Sequence, residues 1–226
     1  MSKKLVYGLG IFTLLIISAV NYLIFIWVPA EKVMGIVQKI FYFHVAAAWV
    51  GFLAFFIVFI SSIKYLLTFN EKWDWYSAAS AEIGFVFMSI VLVTGSIWGR
   101  AFWGHWWTWD PRLTTSLILW FIYAAYLLLR SGITIEERRA RYSAVLGIIG
   151  FIDVPIVWFS VRWWRTIHPN LIEEGGKMAI TTKMSITLSL SVIAFTLLYA
   201  FLLPKVVKLY QLDNMIYKIK DVIRNL

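Results

Sequence analysis

Three histidines are the only imidazoles in this chain, and no cysteine accompanies them. His44 is followed at i+3, i+4 and i+7 by Ala47, Ala48 and Gly51, which share its face on a helix. That nearly bare face leaves room for a large planar group beside the ring. It would equally serve close helix packing through the small pair Ala47 and Gly51. His105 lies within a cluster formed by Trp98, Trp103, Trp106, Trp107 and Trp109, and His168 follows Trp158, Trp163 and Trp164. Because His168 precedes Pro169, the α conformation is disfavoured there, so this imidazole belongs to an extended or turning segment. Neutral imidazole is a strong axial ligand for iron. Hydrogen-bonding histidines at a membrane interface would look the same.

Four arginines, Arg100, Arg112, Arg162 and Arg165, flank the two tryptophan clusters. Guanidinium pairs well with carboxylates on a ligand, and snorkelling to the interface is the plainer alternative. Asp110-Pro111 reads as a helix start, with Asp at the N-cap and Pro in the first turn. Two acids, Glu82 and Asp153, fall within apolar runs and have no evident sequence partner. The lack of cysteine excludes a disulfide framework, a zinc-thiolate site and covalent attachment of a c-type heme. No phosphate-binding glycine loop, nucleophile-base-acid set or carboxylate pair appears on a water-facing segment.

The elements that carry these residues are membrane spans. Of 226 residues 61% are hydrophobic and only 15% charged, with mean hydropathy +0.78; soluble domains average about 45–50% and about 25%. Six runs reach the length of about 20 apolar residues that a spanning helix needs: Leu5–Val28, Ile40–Leu67, Ala78–Trp98, Leu113–Leu129, Tyr142–Val161 and Met184–Val207. The fold class is therefore an all-α integral membrane protein, a six-helix bundle over residues 1–208. Residues 209–226 form a tail with apolar residues at helical spacing between lysines, which reads as an amphipathic helix on the inner leaflet. The first run is longer than the 7–15 residue core of a signal peptide and is read as a span.

With both termini inside, thirteen of the 21 basic residues fall on the inner side and eight on the outer, which favours that orientation. All three histidines and both tryptophan clusters then lie outside, leaving Trp73 and Trp75 on the inner face. An interfacial aromatic belt or a platform for a flat apolar ligand would each produce this pattern, and spacing leaves both open. The net charge of +9 is spread along apolar runs and does not form a nucleic-acid surface.

The run Trp103-Gly104-His105-Trp106-Trp107-Thr108-Trp109-Asp110 fits the pattern WGxxWxWD. It resembles the signature of the heme-handling proteins of cytochrome c maturation, most closely the heme exporter protein C type. The similarity extends over essentially the whole chain. It includes the six spans, Phe43-His44-Val45, Asp110-Pro111-Arg112-Leu113-Thr114, and Ser160-Val161-Arg162-Trp163-Trp164-Arg165-Thr166-Ile167-His168. Asp153 and Pro111 depart from the usual pattern.

This resemblance implies that heme b is held on the outer face of the cytoplasmic (inner) membrane, with His44 and His168 as the iron ligands. The motif residues Trp103, Gly104, Trp107, Trp109 and Asp110 would cradle the macrocycle, and Arg100, Arg112, Arg162 and Arg165 would meet the propionates. His105 occupies a variable position of the signature and is not assigned a ligand role. The implied protein is a transport component and not an enzyme. Its implied partners are an ABC transporter ATPase with its membrane subunit, a membrane-tethered periplasmic heme chaperone and a small single-span subunit. A cytochrome c synthase of the same superfamily would need a further histidine pair within the membrane, and no histidine stands at a central span position. A permease or quinone-binding subunit would place its polar site at the midplane on broken helices, a direction in which only Asp153 with Pro155 points. An assembly subunit whose aromatic patch docks another membrane protein is the remaining reading.

Overall fold

The computed structural model describes residues 3–168 and 180–224. Among them are seven α-helices: α1 (Lys3–Tyr22), α2 (Lys39–Thr68), α3 (Glu71–Trp103), α4 (Pro111–Gly132), α5 (Glu136–Phe151), α6 (Asp153–Trp163) and α7 (Thr182–Arg224). A π turn at Leu23–Trp27 extends α1, and a 3-10 turn at Ile36–Gln38 leads into α2. Six helical stretches are long and apolar enough to cross a membrane, with α5 and α6 together forming one of them. The six-span expectation holds.

Successive spans reverse direction, so the chain has two ends that differ in chemistry. One end gathers the start of α2, the turn between α3 and α4, and the end of α6, and so bears the tryptophan clusters. The opposite end holds the α2–α3 turn, the α4–α5 turn and the last turns of α7.

Three elements differ from the sequence expectation. Where Ala78–Trp98 was expected, α3 covers 33 residues, about 50 Å at 1.5 Å per residue. Asn70 caps its start by accepting from the Lys72 N–H at 3.0 Å, and Glu71 and Asp74 in the first turn oppose the helix dipole. The fifth span is not one helix but two. Pro155 has no N–H for the Phe151 carbonyl, and the α-helix is interrupted at Ile152. The tail at 209–226 is helical through Arg224, yet it continues α7 with no break at 208, and Pro204 is absorbed within the helix. It is braced against α3: Lys218 Nζ donates to both Glu71 carboxylate oxygens at 2.9 and 3.0 Å, and Asn214 Nδ2 donates to Oε2 at 3.1 Å. Tyr210 OH donates to Glu82 Oε2 at 3.3 Å, so Glu82 has a partner that spacing did not reveal.

The helices meet through small residues, as expected where lipid removes most of the hydrophobic drive for association. A Cβ on Gly51 would lie 2.8 Å from the Met88 sulfur, and one on Gly84 would lie 2.6 Å from the Phe55 ring. These contacts draw α2 and α3 together along most of their length. Val50, Ala54, Phe55, Val58, Met88, Leu119, Tyr123 and Val157 complete the buried centre, with the Phe55 and Tyr123 rings stacked. This rigid α2–α3 pair fixes the height of His44 against α3.

The opposite end contains a buried ion pair absent from the sequence reading. Arg130 of α4 meets Asp74 of α3 in bidentate fashion, at 2.5 and 2.8 Å, with both side chains under 10% exposed.

Candidate functional site at the tryptophan-rich end

The aromatic surface begins where α3 stops. Gly104 has φ +82°, the left-handed conformation that closes a helix and that a side chain would strain. Arg100 donates to the Gly104 carbonyl, so this arginine is engaged in ending α3. Trp103 stands edge-on to Trp98 with centroids 4.7 Å apart. Beyond the turn, Trp107 and Trp109 are perpendicular at 5.9 Å, and Trp109 is 77% exposed, Trp106 60%. On α6, Phe159 stacks on Trp163, and Trp163 meets Trp164 edge-on at 5.8 Å. Trp106 and Trp109 thus leave most of their apolar surface uncovered among the described residues. His105 is likewise exposed, as are Arg162 and Arg165.

Asp110 is buried at the start of α4 and does more than cap it. Its Oδ1 accepts the Arg112 N–H at 2.9 Å and the Thr166 hydroxyl at 2.8 Å, and its Oδ2 accepts the Ile167 N–H at 2.9 Å. The Thr166 oxygen in turn accepts the His168 N–H at 3.0 Å. Arg112 reaches the other side of the same segment, with Nη1 donating to the carbonyls of Val157 at 2.7 Å and Trp158 at 3.1 Å. Two residues at the mouth of α4 thus hold the α6 segment before and after its tryptophans.

His44 sits on the first turns of α2, half-buried against α3. Its Nδ1 lies 3.0 Å from Thr94 Oγ1. The Thr94 hydroxyl lies 2.6 Å from the Ile90 carbonyl, which accepts from it. With that proton given to Ile90, the pairing fits the tautomer protonated at Nδ1, which leaves the Nε2 lone pair for a ligand. Gly95 makes room for the ring, since a Cβ there would approach His44 Cε1 to 3.1 Å. His168 and Arg112 lie near enough for their charges to act on His44.

The structure therefore brings His44, His168, Arg112 and Asp110 into one neighbourhood, with the Trp103–Trp109 stretch running into it from α3. Trp98 Nε1, Thr108 Oγ1 and Thr114 Oγ1 are buried there with no hydrogen-bond partner among the described residues, a sign of polar capacity left for a ligand. Thr94, Gly95 and Thr166 were not singled out by sequence reasoning. A threonine on an apolar helix normally bonds its own backbone, and only the 50-residue separation closed by the fold exposes its second role. Asp153 contributes nothing to this end. Its Oδ2 is buried beside the break between α5 and α6, with no hydrogen-bond partner among the described residues.

An iron porphyrin suits this donor set: two imidazoles at one end, open indole faces, and exposed guanidinium groups for two propionates. Comparison with known proteins points the same way. A ccmC-like mitochondrial protein of cytochrome c biosynthesis from Marchantia polymorpha is 39% identical over 162 residues, 71% of this chain and 68% of that protein. Heme exporter protein C of Bradyrhizobium diazoefficiens is 37% identical over 77% of this chain and 66% of its own length, slightly under two thirds. Heme exporter protein C of Escherichia coli strain K12 is 34% identical over 77% of this chain and 70% of its own length. The family described as heme exporter protein C matches residues 1–220, and to that family this chain belongs.

Proposed function

We propose that this membrane protein takes part in heme export for cytochrome c maturation, binding heme b as cargo at its tryptophan-rich end and passing it to a membrane-tethered heme chaperone. His44 and His168 are the axial ligands. Trp103, Gly104, Trp107 and Trp109 form the platform, and the exposed Arg162 and Arg165 meet the propionates. Arg100 and Arg112, whose guanidinium groups hold backbone carbonyls, contribute positive charge and shape the rim. The observation that supports this reading is the contact of His44 Nδ1 with Thr94, which fits a ring keeping its Nε2 lone pair, together with the nearness of His168.

The chemistry follows from these groups. When iron is bound, two imidazoles fill both axial positions and leave none for oxygen. The platform holds the macrocycle by its faces, and most of that surface stays open to a recipient. An ABC transporter ATPase with its membrane subunit, and a small single-span subunit, are the remaining proposed partners. The excess of basic residues at the opposite end supports an orientation with that end in the cytoplasm and the heme face outside the inner membrane.

The test is a spectrum of the purified full chain. Heme added to the wild type gives the Soret and α bands of six-coordinate low-spin iron, and His44→Ala and His168→Ala each abolish them. A preparation whose bands survive both substitutions unaltered rejects these ligands.

A further inference from the structure

We infer that Asp110 is a positioning residue for His168, acting through Thr166 and the backbone of the loop and not by touching the bound macrocycle. The inference rests on the proposal that His168 ligates iron, and goes beyond it by assigning the acid of the tryptophan motif a role at a distance.

Both carboxylate oxygens are engaged by the protein. Oδ1 takes the Arg112 N–H and the Thr166 hydroxyl, and Oδ2 takes the Ile167 N–H. With 8% of the residue exposed, little of it faces outward. All three donors are internal, and two of them come from the residues immediately before His168. The chain of bonds then runs on, since the Thr166 oxygen that gives its proton to Asp110 receives the His168 N–H.

His168 has no helix to hold it. α6 ends at Trp163, and the backbone from Trp164 leaves in extended form. A ligand on such a segment needs an external anchor, or its ordering opposes metal binding each time. The start of α4 supplies that anchor. Asp110 uses one carboxylate both to cap α4 and to hold the loop. His44 receives the corresponding support from Thr94. The two imidazoles are thus positioned by unrelated means, one by a helix neighbour and one by a loop tether.

Asp110→Asn keeps the cap and cuts the Ile167 arm of the tether. Asparagine is as good an N-cap as aspartate, so its oxygen retains the Arg112 and Thr166 bonds. Its amide then faces the Ile167 N–H, donor against donor. Full-length protein in detergent is titrated with heme and followed by the Soret and α bands. The expected result for Asp110→Asn is five-coordinate high-spin iron and heme affinity lower by about 10- to 100-fold, the range for outer-shell ligand partners. Free imidazole restores the low-spin bands, and the double variant Asp110→Asn with His168→Ala is no weaker than His168→Ala alone. Thr166→Val moves in the same direction and Thr166→Ser keeps the wild-type spectrum, which tests the tether where α4 is untouched.

A low-spin, wild-type spectrum in both Asp110→Asn and Thr166→Val, alongside its loss in His168→Ala, overturns the positioning role and leaves the ligand standing. A loss that imidazole does not restore, or that adds to the His168→Ala loss, overturns it in favour of direct contact with the macrocycle. Low-spin bands that persist in His168→Ala remove the ligand itself, and the positioning role falls with it.

Discussion

The two ends of the bundle handle buried charge in opposite ways. At the end away from the tryptophans, Asp74 and Arg130 satisfy one another with two parallel bonds, and the guanidinium lies 5.8 Å from the Tyr126 ring and 5.9 Å from the Tyr210 ring. Tyr126 OH bonds Ser77, and Ser77 bonds Ser62, within the same helix cluster. At the tryptophan-rich end, His44 and Asp110 are fixed by the protein from one side, while indoles, Arg162 and Arg165 face outward. The first arrangement spends its polar groups on cohesion between α3, α4 and α7. The second keeps a rigid backing and an open front. A molecule that collects and releases cargo needs both, and in this fold they are about a membrane thickness apart.

That contrast can be broken from either end. The largest effect is expected at the closed end. Arg130→Ala strands a buried carboxylate, at a cost of about 3–5 kcal/mol, and is read as lost thermal stability and lower accumulation in the membrane. The fraction that folds should bind heme with the wild-type spectrum, and a changed spectrum would show that the ends are coupled. An intermediate effect is expected at the open end. Thr94→Val keeps shape but removes the acceptor that orients His44, and heme affinity should fall by about tenfold, the low end of the outer-shell range, with stability little changed. A spectrum and affinity equal to wild type would mean that the tautomer is set elsewhere. The smallest effect belongs to the exposed brace. Lys218→Ala breaks a half-exposed pair with Glu71 and should cost less than about 1 kcal/mol, with the difference fading in high salt. A larger loss in the melting curve would mark the α7 extension as a main support of the bundle.

Much of this was legible in the order of residues, for reasons that are local. Span number follows from run length, and the Asp110-Pro111 helix start follows from capping chemistry. That the three histidines belong to one end follows from the reversal of successive spans. Partnerships across the fold were not legible. Asp74 and Arg130 are 56 positions apart and each resembles an ordinary charge at a span edge. Thr94 resembles any threonine on an apolar helix until α2 is laid against it. The continuity of α7 is hidden because the apolar run gives way to a mixed, lysine-bearing sequence after Val207, although one helix carries through that change with Pro204 inside it. The interruption at Ile152 has a local sign in Pro155, although the unbroken apolar run around it spells a single span.

Residues 157–167 are stapled at both margins to the mouth of α4, by Arg112 at the near margin and Asp110 at the far one. A segment pinned twice has few shapes to sample, so its conformational entropy is surrendered when the protein folds and not when cargo arrives. Capture can then be fast and weakly temperature-dependent in its ordering cost, and departure does not require the segment to melt. Trp158, Trp163 and Trp164 are thereby held as one stiff unit against the start of α4.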